Sequence, residues 1–261
     1  MAREKSGFWI GLAAIVFYPV GYLTGRPRYV GREHLPETGG ALIVGNHISH
    51  LDPIHTALWL HTAGRAPRFM AKHSLWSVPL FGTVLRGCQQ IPVFRNTADA
   101  QQSLAAGTQA LADGKTVIIY PEGTITRDPD GWPMQSRTGV ARLALTSDVP
   151  VIPLVHWGTR EILDGYNKKF RPLPRTTVTV HGGDPVDLSA YRGRPLDAAL
   201  LREVTDLIMT RVRDLLAEVR GEPAPETFYR GTARTRDERR HPGSRAPDED
   251  ERGRDTTGSD S

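Results

Sequence analysis

Ala41-Leu42-Ile43-Val44-Gly45-Asn46-His47-Ile48-Ser49-His50-Leu51-Asp52-Pro53 is the stretch from which the rest of the chain can be read. Four apolar, partly β-branched residues in a row predict a short buried strand over 41–44. His47 then falls just past the strand's carboxyl end, where open α/β sheets collect their ligands. Asp52 before Pro53 reads as an N-cap with proline at the first helical position, opening a helix to about Leu60. On one continuous helix, residues five apart would point about 140° away from each other. A strand–turn–helix corner can instead fold the Asp52 carboxylate back onto the His47 imidazole, which is how a general base is oriented. Two plainer readings compete. Asp52 could be a helix cap and nothing more, or His47, His50, Asp52 and His55 could ligate a metal, although their spacing fits no common zinc pattern.

Working outward, three further blocks follow predicted strands. Gly87-Cys88-Gln89-Gln90-Ile91-Pro92-Val93-Phe94-Arg95 sets an arginine after an apolar stretch. Tyr120-Pro121-Glu122-Gly123-Thr124 follows Thr116-Val117-Ile118-Ile119. Val149-Pro150-Val151-Ile152-Pro153-Leu154-Val155 is a fourth run, punctuated by prolines. Between them the pattern alternates: a segment around Phe69–Lys72, a strand near 90–94, a helix from about Asp99 to Ala112, and strands near 116–120 and 150–156 flanking a helix at 138–146. A strand at 177–180 precedes a final amphipathic helix over about 196–219, ended by Gly221. This alternation predicts an α/β fold with a mixed, largely parallel sheet flanked by helices. The apolar stripe of the last helix is read as core packing.

In order and content the four blocks resemble those of the bacterial glycerolipid acyltransferases, in particular the 1-acylglycerol-3-phosphate (lysophosphatidate) acyltransferase family. The resemblance covers roughly residues 27 to 160, and the first and third blocks together carry most of its specificity. It implies transfer of a fatty acyl group from acyl-CoA or acyl carrier protein to the free hydroxyl of lysophosphatidate at a membrane surface, with no cofactor and no metal. His47 would act as base and Asp52 as its orienting carboxylate. Arg95 belongs to the block that would bind the acceptor's phosphate, a task suited to a bidentate guanidinium. Glu122, Gly123 and Thr124 would position the acceptor's glycerol portion, and Arg127 and Lys72 match basic positions near the third block and between the first two. Many members carry arginine directly after the threonine, where this chain has Ile125. Acylation of glycerol 3-phosphate or another lysolipid remains open, as does a catalytically silent lipid-binding role.

Composition sets limits of its own. The 261 residues suffice for one α/β domain with additions at each end. Cys88 is the single cysteine, which excludes an internal disulfide, fits a reducing compartment, and reads as a small packed side chain. The net charge is +4, and the acidic excess after Glu222 makes the body still more basic. That suits a phosphate-bearing lipid, a lipid surface or coenzyme A. No nucleic-acid recognition motif is present.

No charged residue lies between Lys5 and Arg26, so residues 1–26 are predicted to be a hydrophobic membrane anchor. Pro19 should interrupt its helix, which favours a re-entrant or interfacial segment over a single span or a core helix. Arg26, Arg28 and Arg32 would keep the domain on the inner face of the cytoplasmic membrane. Residues 27–221 are predicted to form the catalytic domain, and 222–261, rich in Arg, Asp, Pro, Gly and Ser, a disordered polar tail.

Overall fold

The structure, a computed structural model, describes residues 7–94 and 97–230. In chain order its elements are α1 (Phe8–Thr24), β1 (Gly25–Val30), β2 (Ala41–Gly45), α2 (Asp52–Thr62), β3 (Pro67–Lys72), α3 (Phe81–Gly87), β4 (Ile91–Val93), α4 (Thr97–Ala112) and β5 (Thr116–Ile119). They continue with α5 (Gly139–Thr146), β6 (Val151–Trp157), α6 (Thr159–Ile162), the hairpin β7 (Leu163–Asp164) and β8 (Lys169–Phe170), β9 (Thr176–Gly182) and α7 (Ala198–Arg220).

Seven strands form one sheet in the order β1-β9-β6-β2-β5-β3-β4. Every neighbouring pair is parallel except β6–β9. The central strand β2 pairs Leu42 with Val117 and Val151, and Ile43 with Ile118 and Ile152. Leu42 and Val44 pack beneath α5 and α7, whereas Ala41 and Ile43 pack beneath α2 and α6. All five β2 residues are buried, which explains a continuous apolar run instead of an alternating one. The predicted sheet and its flanking helices are therefore present.

The last helix keeps its stripe for the core. Leu200, Val204, Ile208, Val212 and Leu216 join the cluster on β2 and β6. Asp197 caps the helix through Leu200 N at 2.8 Å, and Gly221 ends it at φ 67°.

Some expectations change. The helix α1 runs through Pro19 to Thr24 without a break. Proline forfeits the bond its own N–H would have made and crowds the carbonyl four residues before it, and here both Pro19 and that residue, Ile15, are exposed. No helix among the described residues is long and apolar enough to cross a membrane. One side of α1 packs on α2, α3 and β1, while Phe8, Ile15, Val16 and Leu23 stay exposed on the other. Gly25 and Arg26, assigned by sequence to the anchor, already belong to β1, which pairs in parallel with β9. At the other end, residues 231–261 of the predicted tail lie outside the described residues. The chain does not become free at Glu222, because Gln135 N donates to Tyr229 O at 2.9 Å and Phe228 packs on the core.

Candidate active site

Strands β2 and β5 are parallel neighbours, Val44 opposite Ile119, so the loops at their carboxyl ends must meet. The chain leaves β2 along a fixed course. Asn46 Oδ1 accepts from His156 N at 2.8 Å and Asn46 Nδ2 donates to His156 O at 3.2 Å. The side-chain amide thus extends the ladder to β6 for one more step, a task the sequence reading did not assign to Asn46. Gly45 before it has no room for a side chain, since a Cβ there would lie 2.9 Å from the Tyr120 ring.

His47 follows, 15 % exposed at its side chain, with Nδ1 2.9 Å from Asp52 Oδ2. The same oxygen accepts from Ile48 N at 2.7 Å and Ser49 N at 2.8 Å, and Oδ1 accepts from the Thr159 hydroxyl at 2.5 Å. Asp52 is fully buried and is not the cap of α2, whose N-cap is Leu51. Its carboxylate turns backward onto the loop before the helix, so the plain capping reading is corrected. Burial pushes the Asp52 carboxyl up, but His156 and the hydrogen bonds from His47 and Thr159 outweigh it and hold the pKa below the usual carboxylate range. His156 is itself driven toward the neutral form by burial, so the hydrogen bonds are the firmer cause. An ionised Asp52 accepts a hydrogen bond from Nδ1–H, which fixes that tautomer and leaves the Nε2 lone pair free. Tyr120 stacks on the imidazole face at 4.5 Å and 17°. Its buried hydroxyl meets Thr56 Oγ1 at 3.0 Å, which in turn lies 2.7 Å from His156 Nε2.

Glu122 stands behind this arrangement. Oε1 accepts from His47 N at 3.0 Å and Oε2 from Met134 N at 3.0 Å. Burial pushes the carboxyl up to about 8 against the pull of those two N–H groups. Each oxygen faces a backbone amide instead of the cavity. Its side chain therefore ties the His47 loop to the loop over 126–134, a role that nothing in Glu-Gly-Thr announces.

A cavity of about 980 Å³ opens beside His47. Lys72, Gly123, Thr124, Arg137, Arg142 and Tyr166 line it with His47, while Ala14, Phe17, Ile54, Phe69, Leu85 and Cys88 give its apolar part between α1, α2, β3 and α3. Burial pushes the Cys88 thiol up, which keeps it a neutral packed group.

The sequence-predicted residues divide accordingly. His47 and Asp52 are joined, and Lys72, Gly123 and Thr124 reach the cavity. Arg127 is exposed and stands off the cavity wall. Arg95 lies outside the described residues. Sequence reading missed Tyr120, Arg137 and Tyr166, whose hydroxyl donates to Ile125 O at 2.8 Å. The metal alternative is not assembled: among the described residues no three of His, Cys, Asp and Glu converge to hold an ion, and His55 instead faces the Tyr29 hydroxyl at 3.2 Å.

A family model described as Acyltransferase matches residues 26–157. A 1-acyl-sn-glycerol-3-phosphate acyltransferase of Borreliella burgdorferi is 28% identical over 49% of this chain and 50% of its own length. A protein of the same name from Limnanthes alba is 30% identical over 56% of this chain and 50% of its own. The chain spans about half the length of the curated relatives it matches. In fold it is similar to the crystal structure of the 1-acyl-sn-glycerophosphate acyltransferase from Thermotoga maritima, with a TM-score of 0.58 and 24% identity over 80% of each chain.

Proposed function

The chain belongs to the acyltransferase family, and from that premise we propose that it transfers a fatty acyl group from acyl-CoA or acyl carrier protein to the free hydroxyl of lysophosphatidate, giving phosphatidate. The observation that carries this reading is the His47–Asp52 pair, 2.9 Å apart, at the wall of a large apolar cavity. A buried carboxylate behind an imidazole is of use to a reaction that must remove a proton, and an apolar cavity beside it suits a hydrocarbon tail.

His47 Nε2 takes the proton of the acceptor hydroxyl as that oxygen bonds to the thioester carbonyl carbon. The carbon–sulfur bond then breaks and the departing thiolate recovers the proton from His47. Asp52 stays ionised throughout and stabilises the imidazolium. No acyl-enzyme is required, because the acceptor itself supplies the nucleophile. Gly123 and Thr124 flank the acceptor's glycerol portion, and Lys72 adds positive charge to the same wall. Glu122 acts through the His47 backbone.

The reading extends to a membrane surface. The helix α1 has 17 residues, about 25 Å of rise against a hydrocarbon core of about 30 Å. Its exposed apolar face suits an element lying in the interface, with Arg26 and Arg28 beside anionic headgroups. That makes the attachment monotopic, at the inner face of the cytoplasmic membrane.

The test is thiol release and product mass from purified protein given oleoyl-CoA and a panel of lysolipids in vesicles. Lysophosphatidate-dependent release, reduced about a hundred- to ten-thousandfold in a folded His47→Ala variant, is the expected result. Release with a different acceptor alone would move the substrate, and undiminished release in the variant would remove His47 as the base.

A further inference from the structure

A phosphomonoester acceptor needs a fixed cation near the base, and the fold presents one that the sequence did not single out. After the loop over 126–134 the chain returns to the Tyr120–Thr124 turn, where Arg137 N donates to Pro121 O at 3.0 Å. Gly123 in that turn has φ 70°, and a Cβ built on it would lie 3.4 Å from Arg137 Nε. The Arg137 side chain therefore runs across bare backbone one residue from Glu122, whose carboxylate holds the His47 amide. It lines the same cavity as His47. It is exposed, and among the described residues its guanidinium has no ion-pair or hydrogen-bond partner. The neighbouring positions on the third block do not supply this cation: Arg127 is not among the residues that line the cavity, and Ile125, which does line it, is buried and uncharged.

We propose that Arg137 is the residue that recognises the acceptor's phosphate, so that this chain selects a phosphomonoester-bearing lysolipid over a neutral one. The proposal rests on the acyltransfer reading and adds to it the group that sets acceptor specificity. A guanidinium offers paired N–H donors that match two phosphate oxygens, and its charge is permanent across the working pH range. Lys72 lines the same cavity as a point charge without that geometry, and Arg142, the other guanidinium there, is not within 4 Å of a Cβ on Gly123, where Arg137 is.

The experiment compares wild type, Arg137→Gln and Arg137→Lys with lysophosphatidate and with monoacylglycerol of the same chain, oleoyl-CoA being the donor. For Arg137→Gln the KM for lysophosphatidate should rise about ten- to a hundredfold with kcat changed far less. Its preference for lysophosphatidate over monoacylglycerol should collapse by the same factor, and Arg137→Lys should recover part of both. Calorimetry with sn-glycerol 3-phosphate and no donor asks the same question without turnover: the wild type should bind it more tightly than Arg137→Gln by that factor. An unchanged KM and an unchanged preference in Arg137→Gln would overturn the proposal, as would equal binding of glycerol 3-phosphate by both proteins or binding by neither. A wild type that acylates neither lipid would instead refute the acyltransfer reading, and the calorimetric comparison would still decide the role of Arg137.

Discussion

Asp52→Asn is the substitution that separates charge from geometry at this site. Three of the four hydrogen bonds to Asp52 converge on Oδ2, from His47 Nδ1, Ile48 N and Ser49 N. An asparagine can place its carbonyl oxygen there and keep all three. Its amide nitrogen then faces Thr159 Oγ1, a hydroxyl that can rotate to accept. The loop and the His47 tautomer should therefore survive, and stability should change by no more than about 1–2 kcal/mol. What vanishes is the negative charge opposite the imidazolium that the proposed reaction forms. With charge centres about 4 Å apart and an effective dielectric of about 20, that attraction is about 4 kcal/mol. At about 1.4 kcal/mol per factor of ten, kcat should fall about a thousandfold, with KM for both substrates within about threefold. The assay is thiol release from oleoyl-CoA with saturating lysophosphatidate, paired with a urea melt. A folded variant that loses less than tenfold in kcat would refute the claim that Asp52 acts on the reaction through its charge. Asp52→Ala is the contrast, because it leaves two buried N–H groups without acceptors and should cost several kcal/mol of stability as well.

Glu122→Gln removes one of two backbone acceptors, since an amide nitrogen cannot receive an N–H. It should cost about 1–3 kcal/mol and lower kcat more than KM by loosening the His47 loop; a normal kcat would leave Glu122 without a positioning role. Because burial raises the Glu122 carboxyl from 4.5 to about 8, its protonated form favours the fold, and stability tied to this group is lost as pH rises from about 4.5 through 8. That slope should flatten in Glu122→Gln, as read by melts across the range. Ile15→Gln with Leu23→Gln alters side chains that are 74% and 72% exposed. It should leave the melt unchanged yet weaken co-sedimentation with anionic vesicles on the order of a hundredfold; undiminished sedimentation would detach α1 from the membrane reading.

The sheet was legible because its strands are apolar runs set between turn residues, and β2, β5 and β6 need no alternation when helices cover both faces. Gly25–Val30 was not legible, since Gly-Arg-Pro-Arg-Tyr-Val carries no apolar run and becomes a strand only by pairing with β9 at the sheet edge. His47 and Asp52 were legible as a pair through the strand–turn–helix corner. The direction of the Asp52 carboxylate was not, because a helix cap and a loop clamp share the same letters. Arg127 and Arg137 look alike in sequence, and only the return of the chain to Pro121 O decides which one meets the cavity. Glu122 follows the same logic: its partner Met134 N is fixed by the course of a loop without regular structure.

One face of α1, with Ala13, Ala14, Phe17 and Tyr18, walls the cavity, while Ile15, Val16 and Leu23 look outward. The same helix is thus the partition between the cavity's apolar lining and whatever the outward face touches. If that is a bilayer, a lipid tail can slide sideways around α1 from one oily phase into another. It need never enter water, a detour costing about 0.8 kcal/mol for every methylene exposed on the way. Lipid traffic through this protein would then be limited by the opening of a helix edge and hardly at all by solubility, so turnover would follow the concentration of lipid per unit of membrane area, not per litre.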